Sequence, residues 1–410
     1  MKRLLFLLVT LWMIAPAHAR VERGVGVEEA DVNVGCLFPL SGYGIGFGND
    51  SIIGIELALE DIAKDLPDAP KMRVIIEDTK LKASRTIRHV RDFANQDKTQ
   101  FVCGIVSSGI ALEVTKIIDD LGVVFIGTDN ASSRLTGSAL TQNYFRVTNN
   151  TYQTMYAGAQ YIRDSFGGIL KKRPLRIAFI GPDYDYGYQN WLDLQSALEK
   201  LNIAYDPVAT LWPSLFEVDF SAQIRSLLRV KADLIVNEQW GNDFITFMRQ
   251  VNDSDLMEYS KIANFGSGGD YDVLAKLGND LPQGLILSAR HHVNWPETKE
   301  NSSFVRRFYD RTGHYPSYVA QGAYSGILAI ALTLIDTGGG TDLDDIRASL
   351  SKIEMKLPED PNGFKSFMNA KDHQIQQVIS IGETVIDHRF PPATRLIGNW
   401  KNYFPMEKTE

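Results

Sequence analysis

The chain has 410 residues, 44% of them apolar and 22% charged, with 33 Gly and 16 Pro. At roughly 100 to 200 residues per domain this is enough for two or three ordinary globular domains, and it excludes collagenous, disordered and disulfide-framework classes. A formal charge of minus 8, with no long Lys/Arg run, leaves little for the counterion-release term of nucleic-acid binding, so no nucleic-acid partner is expected.

Met1 to Ala19 begins with Lys2 and Arg3, continues with apolar residues from Leu4 to Ile14, and ends in Pro16 and Ala17-His18-Ala19. This reads as a secretory signal peptide. Its apolar stretch is shorter than the roughly 20 residues that span hydrocarbon, and the best later run, Gly326 to Ile335, is shorter still. No Cys follows the cleavage site. The mature chain is expected to be a periplasmic monomer with no direct membrane insertion.

From residue 31 the pattern alternates. Val32 to Phe38 reads as a strand, Ser41 to Gly48 as a glycine-rich loop and Ile52 to Ala63 as a helix. Strands follow at Arg73 to Glu77, Phe101 to Val106 and Val123 to Ile126, with helices at Ala83 to Asn95 and Ala111 to Leu121. The rhythm restarts with helix Tyr152 to Asp164 and strand Arg176 to Ile180. Helix Gln189 to Lys200, strand Ile203 to Leu211 and helix Phe220 to Leu228 come next. Strand Leu234 to Asn237, helix Phe244 to Val251 and strand Ile262 to Phe265 complete this second run. Continuous apolar strands between amphipathic helices predict parallel sheets covered on both faces. The fold class expected is α/β, with two doubly wound lobes and a ligand cleft at the carboxyl ends of their strands. Strand Gly284 to Ala289 and helices Ser302 to Thr312 and Ala320 to Leu334 return to the first lobe. Gln376 to Ile381 and Glu383 to Asp387 read as an antiparallel pair.

Cys36 and Cys103 lie in apolar strands and are expected to be two buried thiols, with a single bridge as the alternative. The seven His have no zinc-like spacing, so no metal is expected. There is no Gly-x-Ser-x-Gly elbow, Walker loop or His-Glu-x-x-His, and Gly42, Gly44, Gly46 and Gly48 do not match a dinucleotide loop; neither an enzyme nor a cofactor is expected.

The positive signals sit at predicted strand ends. Ser107 and Ser108 precede a helix, where hydroxyls and unpaired N–H groups suit a carboxylate, although they could equally cap the helix alone. Asp129, Asn130, Ala131 and Ser132 add small polar groups on the same rim, or form a plain turn. Tyr184, Tyr186, Tyr188 and Trp240 offer rings to a ligand. Glu238 and Asp270 could face a cation or simply be solvated.

These residues resemble a known family. Val34-Gly35-x-x-x-Pro39-Leu40-Ser41-Gly42, Gly54-x-x-x-Ala58, Glu77-Asp78, Gly104-x-x-Ser107-Ser108, Arg146, Tyr186-Gly187 and Asp372-His373-Gln374 resemble periplasmic leucine/isoleucine/valine-type substrate-binding proteins of ABC importers. The resemblance implies a type I periplasmic binding fold with three crossovers, near residues 148, 288 and 367. Lobe 1 would hold residues 31–148 and 289–366, and lobe 2 residues 149–288 and 367–410. It further implies closure around a small carboxylate that is delivered to a membrane permease. Ser108 and the backbone of Asp129 to Ala131 would hold the carboxylate, and Phe47 and Tyr186 would shelter the side chain. Asn264-Phe265-Gly266-Ser267 lacks the family's acid for an α-amino group. Either Glu238 or Asp270 takes the ammonium, or the ligand is an amine-free aromatic or organic acid. A sensor of the same fold, reporting an amide or metabolite to a signalling partner, is the alternative.

Overall fold

The computed structural model describes residues 20–405, so the expected signal peptide lies outside the described residues. The chain builds two sheets. The first runs Val21–Gly24, Met72–Asp78, Val32–Phe38, Phe101–Gly104, Val124–Gly127, Tyr144–Arg146, Gln374–Gln376, Ser366–Asn369, Glu354–Met355. Its interior pairs are parallel and its two margins antiparallel. The second runs Arg395–Tyr403, Ile379–Ile386, Ile286–Ser288, Lys261–Asn264, Leu234–Asn237, Leu175–Ile180, Tyr205–Leu211. Helices cover both faces, as the unbroken apolar strands require: Phe101–Gly104 and Val124–Gly127 are buried at every position.

The chain passes between the sheets after Arg146, after Ser288 and after Gln376. The last passage falls beyond the expected residue 367, because Ser366–Asn369 and Gln374–Gln376 pair with each other and with Arg146 in the first sheet. The expected pair at Gln376 to Ile381 and Glu383 to Asp387 is instead one strand, Ile379–Ile386, paired with Arg395–Tyr403. Gly382, which the expected pair leaves between its two segments, is the position of a register shift, where a Cβ would lie 2.2 Å from the Gly398 carbonyl oxygen.

The glycine-rich segment also departs from its reading as a loop. A short 3-10 turn at Gly42–Gly44 leads into a helix from Ile45 to Asp65, which takes in Gly46 and Gly48. A Cβ on Gly48 would stand 2.2 Å from the Pro39 carbonyl oxygen, so the missing side chain lets the helix start sit on the strand end. Farther along, Gly54 lets this helix meet Tyr318–Asp336, whose Ala320 oxygen would be 2.0 Å from a Cβ. Tyr318–Asp336 is a 19-residue helix apolar enough to cross a bilayer, a longer run than the sequence reading allowed, yet it is mostly buried within the protein.

The two cysteines form a disulfide, which corrects the expectation of free thiols. Val32–Phe38 and Phe101–Gly104 are parallel neighbours in register, and Cys36 stands opposite Cys103 with a Cα separation of 4.5 Å. Two small side chains on one face of adjacent strands are close enough to join. The bridge closes a loop of 67 residues and is fully buried. Replacing both with alanine should lower stability by up to about 4 kcal/mol, from restored unfolded-chain entropy. The check is a lower urea midpoint with an unchanged far-ultraviolet circular dichroism spectrum.

Candidate functional site

In the first sheet, Phe101–Gly104 ends in a sharp turn. Gly104 has φ of 104° and Ile105 has φ of 65°, a region that a β-branched residue occupies only at a cost in strain. The Asn130 amide holds this turn by donating to the carbonyls of Gly104 at 3.0 Å and Ile105 at 2.8 Å. The turn delivers Ser107 and Ser108 to the start of helix Ser108–Leu121. Ser107 stands at the cap position and is half-buried, but its side chain makes no capping bond. Ser108 is buried, and its Oγ accepts from the N–H groups of Ala131 and Ser132, both at 3.1 Å. Its acceptor capacity is therefore filled, and the hydroxyl proton is what it can give to another group.

That geometry changes the role of the neighbouring loop. The Ala131 N–H, read from sequence as a carboxylate donor, is spent on Ser108. The Asn130 side chain is spent on the strand turn and on the Tyr144 hydroxyl. The Asn130 and Ser132 carbonyls accept from buried Arg146 at 3.0 and 2.8 Å. These groups shape the rim, while the Ala131 side chain and Asp129 line the space beside it.

From the second sheet come Tyr184, Tyr186, Trp240 and Ser267. Tyr186 and Tyr188 lie within helix Asp185–Lys200 rather than in a loop. The Trp240 indole donates to the Tyr184 hydroxyl at 3.1 Å, which fixes the ring at the rim. Glu238 follows strand Leu234–Asn237 and is fully buried, accepting from the N–H groups of Phe265 at 2.8 Å and Gly266 at 3.1 Å. A Cβ on Gly266 would meet the Glu238 Oε2 and the Tyr186 hydroxyl, each at 2.5 Å. The acid thus sits beneath Tyr186. Burial pushes its pKa up to about 8 against those two N–H bonds, so it is mostly protonated at neutral pH. Ser267 Oγ is buried without a hydrogen-bond partner among the described residues.

Three residues that the sequence did not single out complete the wall, the apolar Val106 and the polar Arg290 and Tyr318. Arg290 lies just beyond strand Ile286–Ser288. Its Nη1 donates to the Asp129 carbonyl at 2.8 Å and to Oδ1 at 2.6 Å, both side chains being nearly solvent-free. Its guanidinium carbon lies 4.9 Å from the Tyr318 ring centroid. Burial drives Asp129 up to about 6, although Arg290 pulls it the other way. The other carboxylate oxygen, Oδ2, is buried without a partner.

Asp270 and Phe47 stand apart from this wall. Asp270 accepts from the Tyr318 N–H at 2.9 Å, and burial holds its pKa well above the usual carboxylate range. Phe47 lies at the mouth, 6.0 Å from Trp240 and 6.1 Å from Tyr318 by ring centroid. The space enclosed by Ser108, Asp129, Tyr186, Ser267, Arg290 and Tyr318 has a volume of about 20 Å³. That is room for about one water, so anything the size of an amino acid or benzoate enters only when the two sides part.

Residues 31–388 match the family model described as "Periplasmic binding protein". The chain belongs to this family. Among relatives of the periplasmic binding protein, "Leu/Ile/Val-binding protein homolog 7" of Brucella abortus is 22% identical over 369 residues, covering 86% of this chain and 88% of the relative. An amino acid ABC transporter substrate-binding protein from Pseudomonas fluorescens superposes with a TM-score of 0.75 at 22% identity, covering 91% and 96% of the two chains. A solute-binding protein from Rhodopseudomonas palustris, solved with 3,4-dihydroxybenzoic acid, gives 0.79 at 19% identity over 92% and 98%. The fold is that of the type I periplasmic binding proteins.

The raised Glu238 has a measurable consequence for this periplasmic binding protein. Its folded-state pKa of about 8 lies above the ordinary carboxyl value of 4.5. Between those values the unfolded chain releases a proton that the folded chain keeps, so this group's contribution to stability falls as pH rises through the window. Glu238→Gln removes the titration. The melting temperature of the variant relative to the parent should climb from pH 5 to 8 and level off above, as read by calorimetry.

Proposed function

We propose that the protein is the solute-binding component of an ABC importer, working in the periplasm as a monomer. It captures a small carboxylate ligand between its two sheets and delivers it to a membrane permease. The observation that carries this reading is Arg290, a buried guanidinium on the wall of the inter-sheet cavity. Among the described residues only its Nη1 donates to the protein, both times to Asp129. Nε and Nη2 remain for a second anion, in the planar arrangement that suits a carboxylate.

Around that anchor the chemistry is divided. The Ser108 hydroxyl donates a hydrogen bond to the same carboxylate. Asp129 Oδ2 and Ser267 Oγ, both buried and unpartnered, take or give one hydrogen bond each to the rest of the ligand. Tyr184, Tyr186 and Trp240 bury its apolar part, with Ala131 at the edge and Phe47 at the mouth. The ligand class is a small amino acid or an aromatic or organic acid. The R. palustris protein, solved with a dihydroxybenzoic acid, supports the aromatic side of that class, and the Leu/Ile/Val-binding relatives support the amino-acid side.

A thermal-shift screen against amino acids, benzoates and aliphatic acids tests the proposal. A ligand at a hundred times its dissociation constant should add about 2.7 kcal/mol to stability. With the hit in hand, Ser108→Ala should cost about 1.5 to 3 kcal/mol of affinity, and Arg290→Lys should weaken binding by about tenfold or more while keeping a positive partner for Asp129. Small-angle scattering should show compaction with the ligand. If no small carboxylate raises the melting temperature, the proposal falls.

A further inference from the structure

A second space lies at the mouth of the inter-sheet cleft and is far larger than the first. Its volume is about 450 Å³, within the range of small-molecule pockets, against about 20 Å³ inside. Five aromatic rings of Phe, Tyr and Trp line it: Tyr43 and Phe47 from the start of helix Ile45–Asp65 and the turn before it, Trp240 just before helix Gly241–Asn252, Tyr271 at the start of helix Tyr271–Leu277, and Tyr315. At its edge lies Asp50, only 7% exposed. The Asp50 Oδ2 accepts from the N–H of Ser317 at 3.1 Å and from its hydroxyl at 2.5 Å. The Oδ1 has no hydrogen bond among the described residues. The nearest basic group is His314 Nε2 at 3.7 Å, on a side chain that is more than half exposed. The chamber's other acid, Asp272, and its lysine, Lys276, are paired with each other at 2.7 Å and offset one another.

The chemistry of such a space is selective. Ring faces carry negative potential and attract a cation, and Asp50 is a buried carboxylate with one oxygen unengaged. An anion would be repelled by both. A neutral apolar molecule would leave the Asp50 Oδ1 without a donor. A bare divalent metal needs several oxygen or nitrogen ligands, and no group of three His, Cys, Asp or Glu side chains is placed for one among the described residues. An ammonium carrying methyl or methylene groups satisfies the rings and the carboxylate together.

We propose that this outer chamber binds a small organic cation, a methylated or primary ammonium, in a space that adjoins the carboxylate site inside and shares Trp240 with it. The rings come from both sides of the cleft, so the chamber is complete only while the two sides are together, and its occupant favours that state.

Isothermal titration of the full mature chain with tetramethylammonium chloride, at constant ionic strength against sodium chloride, tests this. Saturable binding is expected with the tetramethylammonium salt alone. Asp50→Asn should weaken it about tenfold and Tyr43→Ala about three-fold, the size of a half-exposed cation–aromatic contact. Asp50 also anchors Ser317; should Asp50→Asn fail to fold, Tyr43→Ala decides, because Tyr43 is 48% exposed. No saturable heat above the sodium control, or unchanged binding in the folded variants, overturns the proposal. Tetramethylammonium binding in a chain that takes no carboxylate would uphold the outer chamber and remove only the inner site; carboxylate binding without it would do the reverse.

Discussion

The cleft depends on a positive charge that never reaches it. Arg146 ends strand Tyr144–Arg146, is fully buried, and has no carboxylate at ion-pair distance among the described residues. Its guanidinium is instead held by neutral oxygens: Gln374 Oε1 at 2.6 Å, Thr136 Oγ1 at 2.7 Å, and the carbonyls of Asn130 and Ser132. Burial lowers its pKa, which is the sign of an expensive desolvation, and charge-assisted bonds offset that cost. The return is geometric. The loop from Asp129 to Ser132 is pinned from behind, so its N–H groups orient Ser108 and its first carboxylate meets Arg290. Because Gln374 belongs to the last strand before the chain leaves the first sheet, the same cation also ties two of the passages between sheets together.

The electrostatics of the cleft follow from where water is excluded. Glu238, Asp129 and Asp270 are all lifted by burial, yet they differ in what they can do. Glu238 is engaged by two backbone donors and covered by Tyr186. Asp270 is engaged by the start of helix Tyr318–Asp336. Asp129 alone keeps a free buried oxygen on the cavity and alone has a cationic neighbour. The inner surface therefore presents one cation, one anion and the hydroxyls of two serines and three tyrosines in a nearly dry setting, where each is stronger than it would be in water.

Much of this was legible in the chain. Apolar strands between amphipathic helices gave the two sheets, and Ala83–Asn95 and Leu234–Asn237 fall where their periodicity places them. Ser108, Asp129, Tyr186 and Trp240 stand out because small polar or aromatic residues follow strand runs, and the structure gathers all four on one cavity. Arg290 did not stand out. It is a single basic residue beside two histidines, and nothing local separates a guanidinium aimed inward from one in solvent; its place just after the strand Ile286–Ser288 was the available signal. The glycines misled in a different way. Gly48 reads as loop and Gly382 falls between two expected strands, whereas both are close approaches of one backbone to another within regular structure. The roles of Asn130 and the Ala131 N–H were also beyond local reading, since they depend on partners some 25 residues away in the chain.

The Cys36–Cys103 bridge sets an order of events. Neither sulfur has any contact with solvent in the finished fold, so no oxidant can reach the pair once the surrounding side chains have closed over it. Oxidation must come while the first lobe is still incomplete, in a compartment that supplies an electron acceptor. A chain that matured in a reducing cytosol would seal two thiols inside itself and reach the same shape without its covalent staple.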